Sequence, residues 1–156
     1  MRISVAGSAL LLVFGSALVL PQARAVTVNF DDVFDTAALA ELELRAEHAQ
    51  INEQPFLFTQ LVHEYVEVAG KQVAAGDMDQ ATASLQKVQA YADRIHANLG
   101  KTSKRVKNAE MLMHLATYKL TQLMHIISSE DSILLQATLK RLDKLHDELL
   151  ALVFAH

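Results

Sequence analysis

The sequence predicts an all-α protein: an antiparallel up-down-up-down four-helix bundle with a short additional helix in front. Only 5 Gly and 2 Pro occur in 156 residues, and Ala, Leu, Gln, Glu and Lys fill long stretches. Apolar residues recur at alternating steps of three and four in four segments, which is typical of helices that share a core. The connections between these segments are short, and short connections favour antiparallel neighbours.

The first 25 residues have the features of a secretory signal peptide. Arg2 precedes an uncharged apolar run over residues 3–20, and Ala23-Arg24-Ala25 has the small-residue pattern of a cleavage site. An uncleaved anchor is the alternative, because the run approaches the length of a spanning helix. The absence of cysteine excludes a lipid-modified cysteine and a disulfide framework. We therefore expect an exported protein, periplasmic or secreted, with no membrane span after cleavage.

Cleavage after Ala25 makes the remaining chain more acidic. It leaves 131 of the 156 residues and removes Arg2 and Arg24, so the 14 Lys and Arg fall to 12 against 18 Asp and Glu, a formal charge of −6. That charge argues against a nucleic-acid-binding protein. Residues 26–35 are predicted to form a flexible acidic leader, and residues 36–156 a single helical domain large enough to bury its own core.

Helix one is predicted over residues 36–50 and helix two over residues 55–75. The apolar residues on one side of helix one are Leu39, Leu42 and Ala46. A break separates the two helices at residues 52–55, since the residue before Pro55 avoids helical geometry. Proline itself is well suited to a first helical turn, so helix two begins there.

Helices three, four and five follow from their capping residues. Gly76 is a suitable C-terminal cap for helix two, and Asp77 with Gln80 forms a capping-box pattern that opens helix three over residues 77–99. Gly100 ends helix three, and Thr102 or Ser103 opens helix four. The polar residues 128–131 separate helix four from helix five, which runs to the C-terminus.

Each bundle helix carries one apolar seam. Helix two places Phe58, Leu61, Val62, Tyr65, Ala69 and Val73 in its seam, and helix three places Ala81, Leu85, Val88, Ala92, Ile95 and Leu99. The seam of helix four is Val106, Ala109, Met113, Ala116, Leu120, Leu123 and Ile127, and that of helix five is Leu135, Leu139, Leu142, His146, Leu149 and Val153. These four seams are predicted to form one core.

Helix four has a second apolar face beside its seam. The residues of this face are Met111, Leu115, Tyr118 and Ile126, with His114 and His125 alongside. A solvated helix surface is not normally so apolar, so we expect helix one or a second copy of the chain to cover it. His114 and His125 each follow a methionine, a pair that suits Cu(I) in exported proteins. Adjacent residues on a helix point about 100° apart, however, so neither pair can chelate one ion alone.

A histidine and a carboxylate stand three or four residues apart on every predicted bundle helix, as in carboxylate-histidine metal sites. The pairs are His63/Glu67, Asp93/His96, Glu110/His114 and Asp143/His146. Helical phase turns only His146 toward the core, where we expect a hydrogen bond to Tyr65 or Thr117. We therefore predict no cofactor. A transition metal or haem is the alternative, with His63, His96, His114 and His146 as its candidate ligands.

The segment AAGDMDQATASLQKVQAYADRIH, residues 74–96, resembles part of hemerythrin-like domains and, in its Gly-to-His spacing, a helix of b-type four-helix cytochromes. These resemblances imply a metal or haem site at His96. The chain departs from them, because Gly100 and Glu110 stand where the hemerythrin-like pattern has Glu and His. No methionine or histidine is placed opposite His96 as a second haem ligand. HEYVE, residues 63–67, approaches the zinc-protease pattern but has Glu67 in place of its second histidine.

A basic turn opens helix four, where the helix dipole would favour acidic residues. Its cations are Lys101, Lys104, Arg105 and Lys107. A solvated turn is one interpretation of this cluster. The other is a site for phosphate, an anionic lipid head group or an acidic partner.

The sequence contains no nucleophile elbow, phosphate loop or cysteine nucleophile, so we predict that the protein is not an enzyme. We expect an exported, non-catalytic interaction or structural module, which forms a homo-oligomer through helix four or binds another exported protein. A metal- or haem-binding bundle is the alternative function.

Overall fold

The computed structural model describes residues 30–101, 105–128 and 132–155, and these residues form packed helices without any strand. The five α-helices and one turn of 3₁₀ helix are α1 (Phe30–His48), α2 (Gln54–Ala74), α3 (Met78–Asn98), the 3₁₀ turn (Leu99–Lys101), α4 (Val106–Met124) and α5 (Ser132–Ala155). The predicted all-α class is confirmed. None of the described helices is both long enough and apolar enough to cross a membrane.

The N-terminal boundary differs from the prediction. Helix α1 begins at Phe30, so residues 30–35 of the predicted flexible leader are helical. The predicted signal peptide, residues 1–25, and the rest of the leader lie outside the described residues.

The α2–α3 turn is built around Gly76, whose φ of 77° is readily accessible only to glycine. Its N–H donates to the Val73 carbonyl at 3.0 Å, and the Asp77 N–H donates to the Gln72 carbonyl at 2.9 Å. This pair of bonds is the Schellman arrangement, which satisfies the last carbonyls of α2. The Asp77 carboxylate accepts from the Gln80 N–H at 3.2 Å. The Asp77 carboxylate thus makes one of the two hydrogen bonds of the predicted capping box. The Asp77 N–H, which would make the other, donates to the end of α2 instead.

The α3–α4 connection differs more from the prediction. Gly100 lies in the 3₁₀ turn rather than ending the helix in a left-handed conformation. The predicted helix start at Thr102 or Ser103 falls outside the described residues, and α4 begins at Val106. Arg105 occupies the N-cap position of α4 without a side-chain capping hydrogen bond. Its φ of 59° is a left-handed conformation that is uncommon for a residue with a side chain.

Helix α2 is central to the packing. It packs against α3, α4 and α1, while α5 packs against α4 and α3. Helices α2 and α3 run in opposite directions, because Gln72 bonds to Ser84 while Phe58 stacks on Tyr91. The turn at Gly76 makes this arrangement possible.

Helices α2 and α4 run in the same direction. The Arg105 guanidinium lies over Phe56 at one end of the pair, and Lys119 pairs with Glu67 toward the other. Helices α3 and α5 are also parallel, since Gln89 bonds to Thr138 and, further along both helices, His96 bonds to Glu148.

Within the described residues, α3 and α4 are not one of the extensively packed pairs. The prediction that every pair of consecutive bundle helices are neighbours is therefore wrong for this pair. The physical reason lies in α2, which buries residues outside its predicted seam. These are Pro55, Phe56, Leu57, Thr59, Val66 and Gly70. This wider apolar surface contacts both α3 and α4, so α2 separates them.

The core otherwise follows the predicted seams. All the predicted seam residues of α3 and α4 are buried except Leu99 and Ile127, which pack against the core while partly exposed. In α1, Ala46 is fully buried, and Leu39 and Leu42 pack against the core. The buried face of α5 is rotated slightly from the prediction and consists of Ser132, Leu135, Thr138, Leu142, Leu145 and Leu149. Consequently His146 lies at the edge of the core.

Candidate interaction surface

The second apolar face of α4 is exposed to solvent. The side chains of Met111, Leu115, Tyr118 and Ile126 are 54%, 44%, 59% and 65% exposed. Helix α1 packs against α2 rather than over this face, so the expectation that α1 covers it is wrong. We call these four residues the α4 face.

No charged side chain interrupts the α4 face. Three charged residues of α4 flank it: Lys107 is exposed one turn before Met111, whereas Glu110 and Lys119 are paired with neighbouring helices. Glu110 Oε1 lies 2.8 Å from His146 Nε2 on α5, and Lys119 Nζ lies 3.3 Å from Glu67 Oε2 on α2. The α4 face itself is therefore apolar, and the exposed cation beside it is Lys107, one turn before Met111.

His146 has a different partner from the one predicted. Tyr65 donates its hydroxyl to Glu43, and the Thr117 hydroxyl donates to the His114 carbonyl, so neither bonds to His146. The hydrogen-bond partner of His146 is instead the carboxylate of Glu110. The His114 ring lies beside the His146 ring, with centroids 5.4 Å apart and the planes tilted by 41°. Of the four candidate metal ligands, the fold thus brings together His114 and His146.

The other two candidate ligands lie in separate ion pairs. His63 Nδ1 is 3.8 Å from Glu64, and His96 Nδ1 is 2.8 Å from Glu148. Asp93, the predicted partner of His96, instead pairs with Arg141 at 2.7 Å. In the part of the chain that the structure describes, no group of three or more His, Asp or Glu side chains is arranged to hold a metal ion.

Three of the four cations of the predicted basic turn belong to the described residues. Lys101, Arg105 and Lys107 are exposed, and Lys104 lies outside the described residues. Arg105 is distinguished from the two lysines because its guanidinium lies over the Phe56 ring, 4.9 Å from the centroid.

The chain has no match among known proteins in three comparisons. No family model, curated protein or solved structure matches it. Its function is therefore inferred from the geometry of its own residues.

A polar network that joins α1 to α2 and α3 was not predicted. A single carboxylate oxygen, Glu43 Oε1, accepts hydrogen bonds from the Tyr65 hydroxyl at 2.6 Å, the Tyr91 hydroxyl at 2.7 Å and Lys87 Nζ at 2.8 Å. Lys87 also donates to the Tyr65 hydroxyl at 3.0 Å. One turn further along, Glu47 forms a bidentate pair with Arg94. We call these six residues the α1 clamp.

The α1 clamp changes the ionisation of its members. Burial by itself would raise the pKa of Glu43, but the hydrogen bonds from Lys87, Tyr65 and Tyr91 outweigh it and hold that pKa below its ordinary value. Burial and the Glu43 carboxylate together raise the pKa of Tyr91. The ionised carboxylate and the neutral tyrosines are therefore the favoured forms, as expected of a structural contact.

A weak signal for the clamp exists in the sequence. Glu43 and Glu47 stand four residues apart on α1, and Lys87, Tyr91 and Arg94 share one face of α3. Recognising the match between these two sets requires knowing that α1 reaches α3, which the local pattern does not reveal.

Proposed function

We propose that this protein is an exported, non-catalytic interaction module that self-associates through the α4 face. We further propose that α2 to α5 form a four-helix bundle with two antiparallel and two parallel pairs of neighbouring helices, to which the α1 clamp attaches α1. Export is inferred from the signal-peptide features of residues 1–25.

The packing of the helices supports the bundle proposal. Each of α2, α3, α4 and α5 packs against two of the others, in the cyclic order α2, α3, α5, α4. Helices α2 and α4 point one way and α3 and α5 the other, so directions alternate along the chain. The order of the helices around the bundle differs from their order along the chain, so α3 and α4 lie diagonally opposite each other.

The observation that carries the self-association proposal is the exposure of the α4 face. Met111, Leu115 and Tyr118 stand at helical spacing over about 10 Å of α4, at 1.5 Å per residue, and Ile126 follows in the turn after the helix. Contiguous apolar surface of this kind marks interaction sites on soluble proteins. Aromatic and methionine side chains, represented here by Tyr118 and Met111, are enriched at such interfaces.

A second copy of the chain is the partner that this face suits best. Glu110 and Lys119 are paired within the chain, and an antiparallel pairing puts the exposed Lys107 residues of the two copies at opposite ends, so two α4 faces can meet without bringing like charges together. In an antiparallel two-fold pairing, Leu115 of one copy would lie against Tyr118 of the other, and the same contact would repeat on the other side of the axis. Such a pairing buries the exposed apolar surface of α4 and leaves Lys107 at its edge.

Sedimentation equilibrium tests this proposal. We expect the purified protein to form a dimer, and the double variant Leu115→Glu, Tyr118→Glu to be a folded monomer, because paired carboxylates would repel across the contact. Leu44→Glu is the matched control, since Leu44 is 61% exposed on α1 and away from α4. A wild-type monomer at high concentration, or equal dissociation by the control, would refute the assignment.

The neighbouring rings of His114 and His146 favour transition-metal binding as a second candidate function. Glu110 bonds to His146, as carboxylates do behind metal-ligating histidines. Calorimetric titration with Zn²⁺ and Cu²⁺ tests it, with His114→Ala as the variant and exposed His125→Ala as the control. Binding that is absent, or equal in the two variants, would exclude this site.

A further inference from the structure

A surface cavity lies where α1 ends and α2 and α4 begin. Its volume is about 470 Å³, within the range of small-molecule sites. The lining residues are Arg45, His48, Ala49, Glu53, Phe56, Leu57, Gln60 and Arg105. The cavity is separate from the α4 face, because none of these residues belongs to that face.

The charged lining is mainly positive. Arg45 and Arg105 supply two permanent cations, and neither has an ion-pair partner among the described residues. Glu53 supplies one carboxylate, so the arginines exceed the acid in the lining. His48 also lines the cavity, and its Nδ1 donates to the Leu44 carbonyl at 2.8 Å.

The remainder of the lining is apolar with one unsatisfied polar atom. Phe56 and Leu57 line the cavity through the small part of each residue that stays exposed, 6% and 8%. Gln60 Oε1 is also buried, and no atom of the described residues bonds to it.

The backbone of Arg105 places its side chain in this cavity. Among the described residues, Arg105 is the non-glycine residue whose backbone is left-handed. Its guanidinium lies 4.9 Å from the centre of the Phe56 ring. The planar guanidinium can stack on Phe56 and still offer its edge to a carboxylate or phosphate. Lys107, on the same segment, is exposed and does not line the cavity.

We propose that this cavity binds a small organic anion with an apolar chain, whose carboxylate lies between Arg45 and Arg105 and whose chain lies against Phe56 and Leu57. Two guanidinium groups recognise the carboxylate through charge-assisted hydrogen bonds. The apolar surface selects an anion with a hydrocarbon chain over a simple inorganic one. This inference is independent of self-association through α4.

Calorimetric titration of the purified protein with octanoate tests the proposal, with acetate and octanol as probes that lack the chain or the charge. We expect octanoate to bind and both other probes to bind at least about tenfold more weakly, the loss produced by one missing interaction of about 1.4 kcal/mol. The affinity for octanoate should also fall as salt is added. Acetate or octanol binding as tightly as octanoate would overturn the proposal, as would no binding of octanoate.

Variants locate the bound anion. Arg45→Gln and Arg105→Gln should each weaken octanoate binding by about tenfold or more, whereas Lys107→Gln should leave it nearly unchanged. Arg105→Gly removes the guanidinium, and glycine suits the left-handed backbone at this position. The variant should therefore lose octanoate binding while its melting temperature stays at or above that of the wild type. Equal losses in Lys107→Gln and Arg105→Gln would mean that the basic turn attracts anions without a site, and would overturn the proposal.

Discussion

The carboxylate of Glu43 on α1 and the hydroxyl of Tyr91 on α3 lie 2.7 Å apart, although 48 residues separate them in the chain. The same carboxylate oxygen accepts from Tyr65 on α2, so one atom links three helices. The ring of Tyr91 in turn stacks on Phe58 and on Tyr65, with centroids 5.8 and 5.9 Å apart. The position of α1 therefore depends on a polar contact supported by an aromatic cluster.

The first prediction concerns Glu43. Glu43→Gln removes the charge that three donors share, and we expect it to lower the free energy of unfolding by about 1 to 3 kcal/mol, as for hydrogen bonds to a charged group. The partial exposure of Glu43 places the expected loss toward the lower value. Urea denaturation measures it, with exposed Glu41→Gln on the same helix as the control, which should change stability by less than about 0.5 kcal/mol. Equal effects of the two changes would show that the clamp contributes no stability.

The second prediction is a loss of stability in acid. Hydrogen bonds hold the pKa of Glu43 below its ordinary value of 4.5 against the opposing effect of burial, and the Arg94 hydrogen bonds lower that of Glu47. A carboxylate with a lowered folded pKa stabilises the fold above its unfolded pKa, and this contribution is lost as the pH falls through the folded value. Unfolding free energy should therefore decline below about pH 4.5.

Urea midpoints measured from neutral pH down into this range test the second prediction. The double variant Glu43→Gln, Glu47→Gln should be less stable at neutral pH and lose less stability on acidification. Parallel curves for the variant and the wild type would assign the acid dependence to other carboxylates.

The third prediction concerns the core. Leu120 on α4 is fully buried, and Leu120→Ala should lower the free energy of unfolding by about 2 to 5 kcal/mol through lost burial and the cavity left behind. Asn108→Ala, at an exposed position of the same helix, should change it by less than about 0.5 kcal/mol. A similar small change at both positions would mean that the buried face of α4 is misassigned.

The fourth prediction compares two glycines. Gly76→Ala places a Cβ on a backbone with a φ of 77° and should destabilise the protein by about 1 kcal/mol, even though no atom lies within 4 Å of the new Cβ. Gly100→Ala meets equally open space, but the backbone of Gly100 is not left-handed, so it should be neutral or slightly stabilising. Thermal denaturation distinguishes the two variants, and equal melting temperatures would contradict the role of Gly76 in the turn.

Local sequence determined the class of this protein and much of its core. The scarcity of Gly and Pro predicts helices, and the heptad steps predict the buried faces of α3 and α4, because burial on a helix follows its 3.6-residue period. The Gly76-Asp77 turn is also local, since both its hydrogen bonds and its positive φ arise within six residues. The apolar character of the α4 face belongs here as well, because its residues stand off the seam in the sequence itself, whereas its exposure depended on where α1 packs.

Only the tertiary structure decided which helices touch. The wide apolar surface of α2 accommodates both α3 and α4, so two consecutive helices, α3 and α4, are not extensive packing partners. The partners of His146, Glu43 and Arg105 follow from that packing. Glu110 reaches His146 from another helix, Glu43 reaches Tyr91 across 48 residues, and Arg105 reaches Phe56 from the start of α4. Helical periodicity shows which way a side chain points, whereas its partner depends on the order in which the helices surround the core.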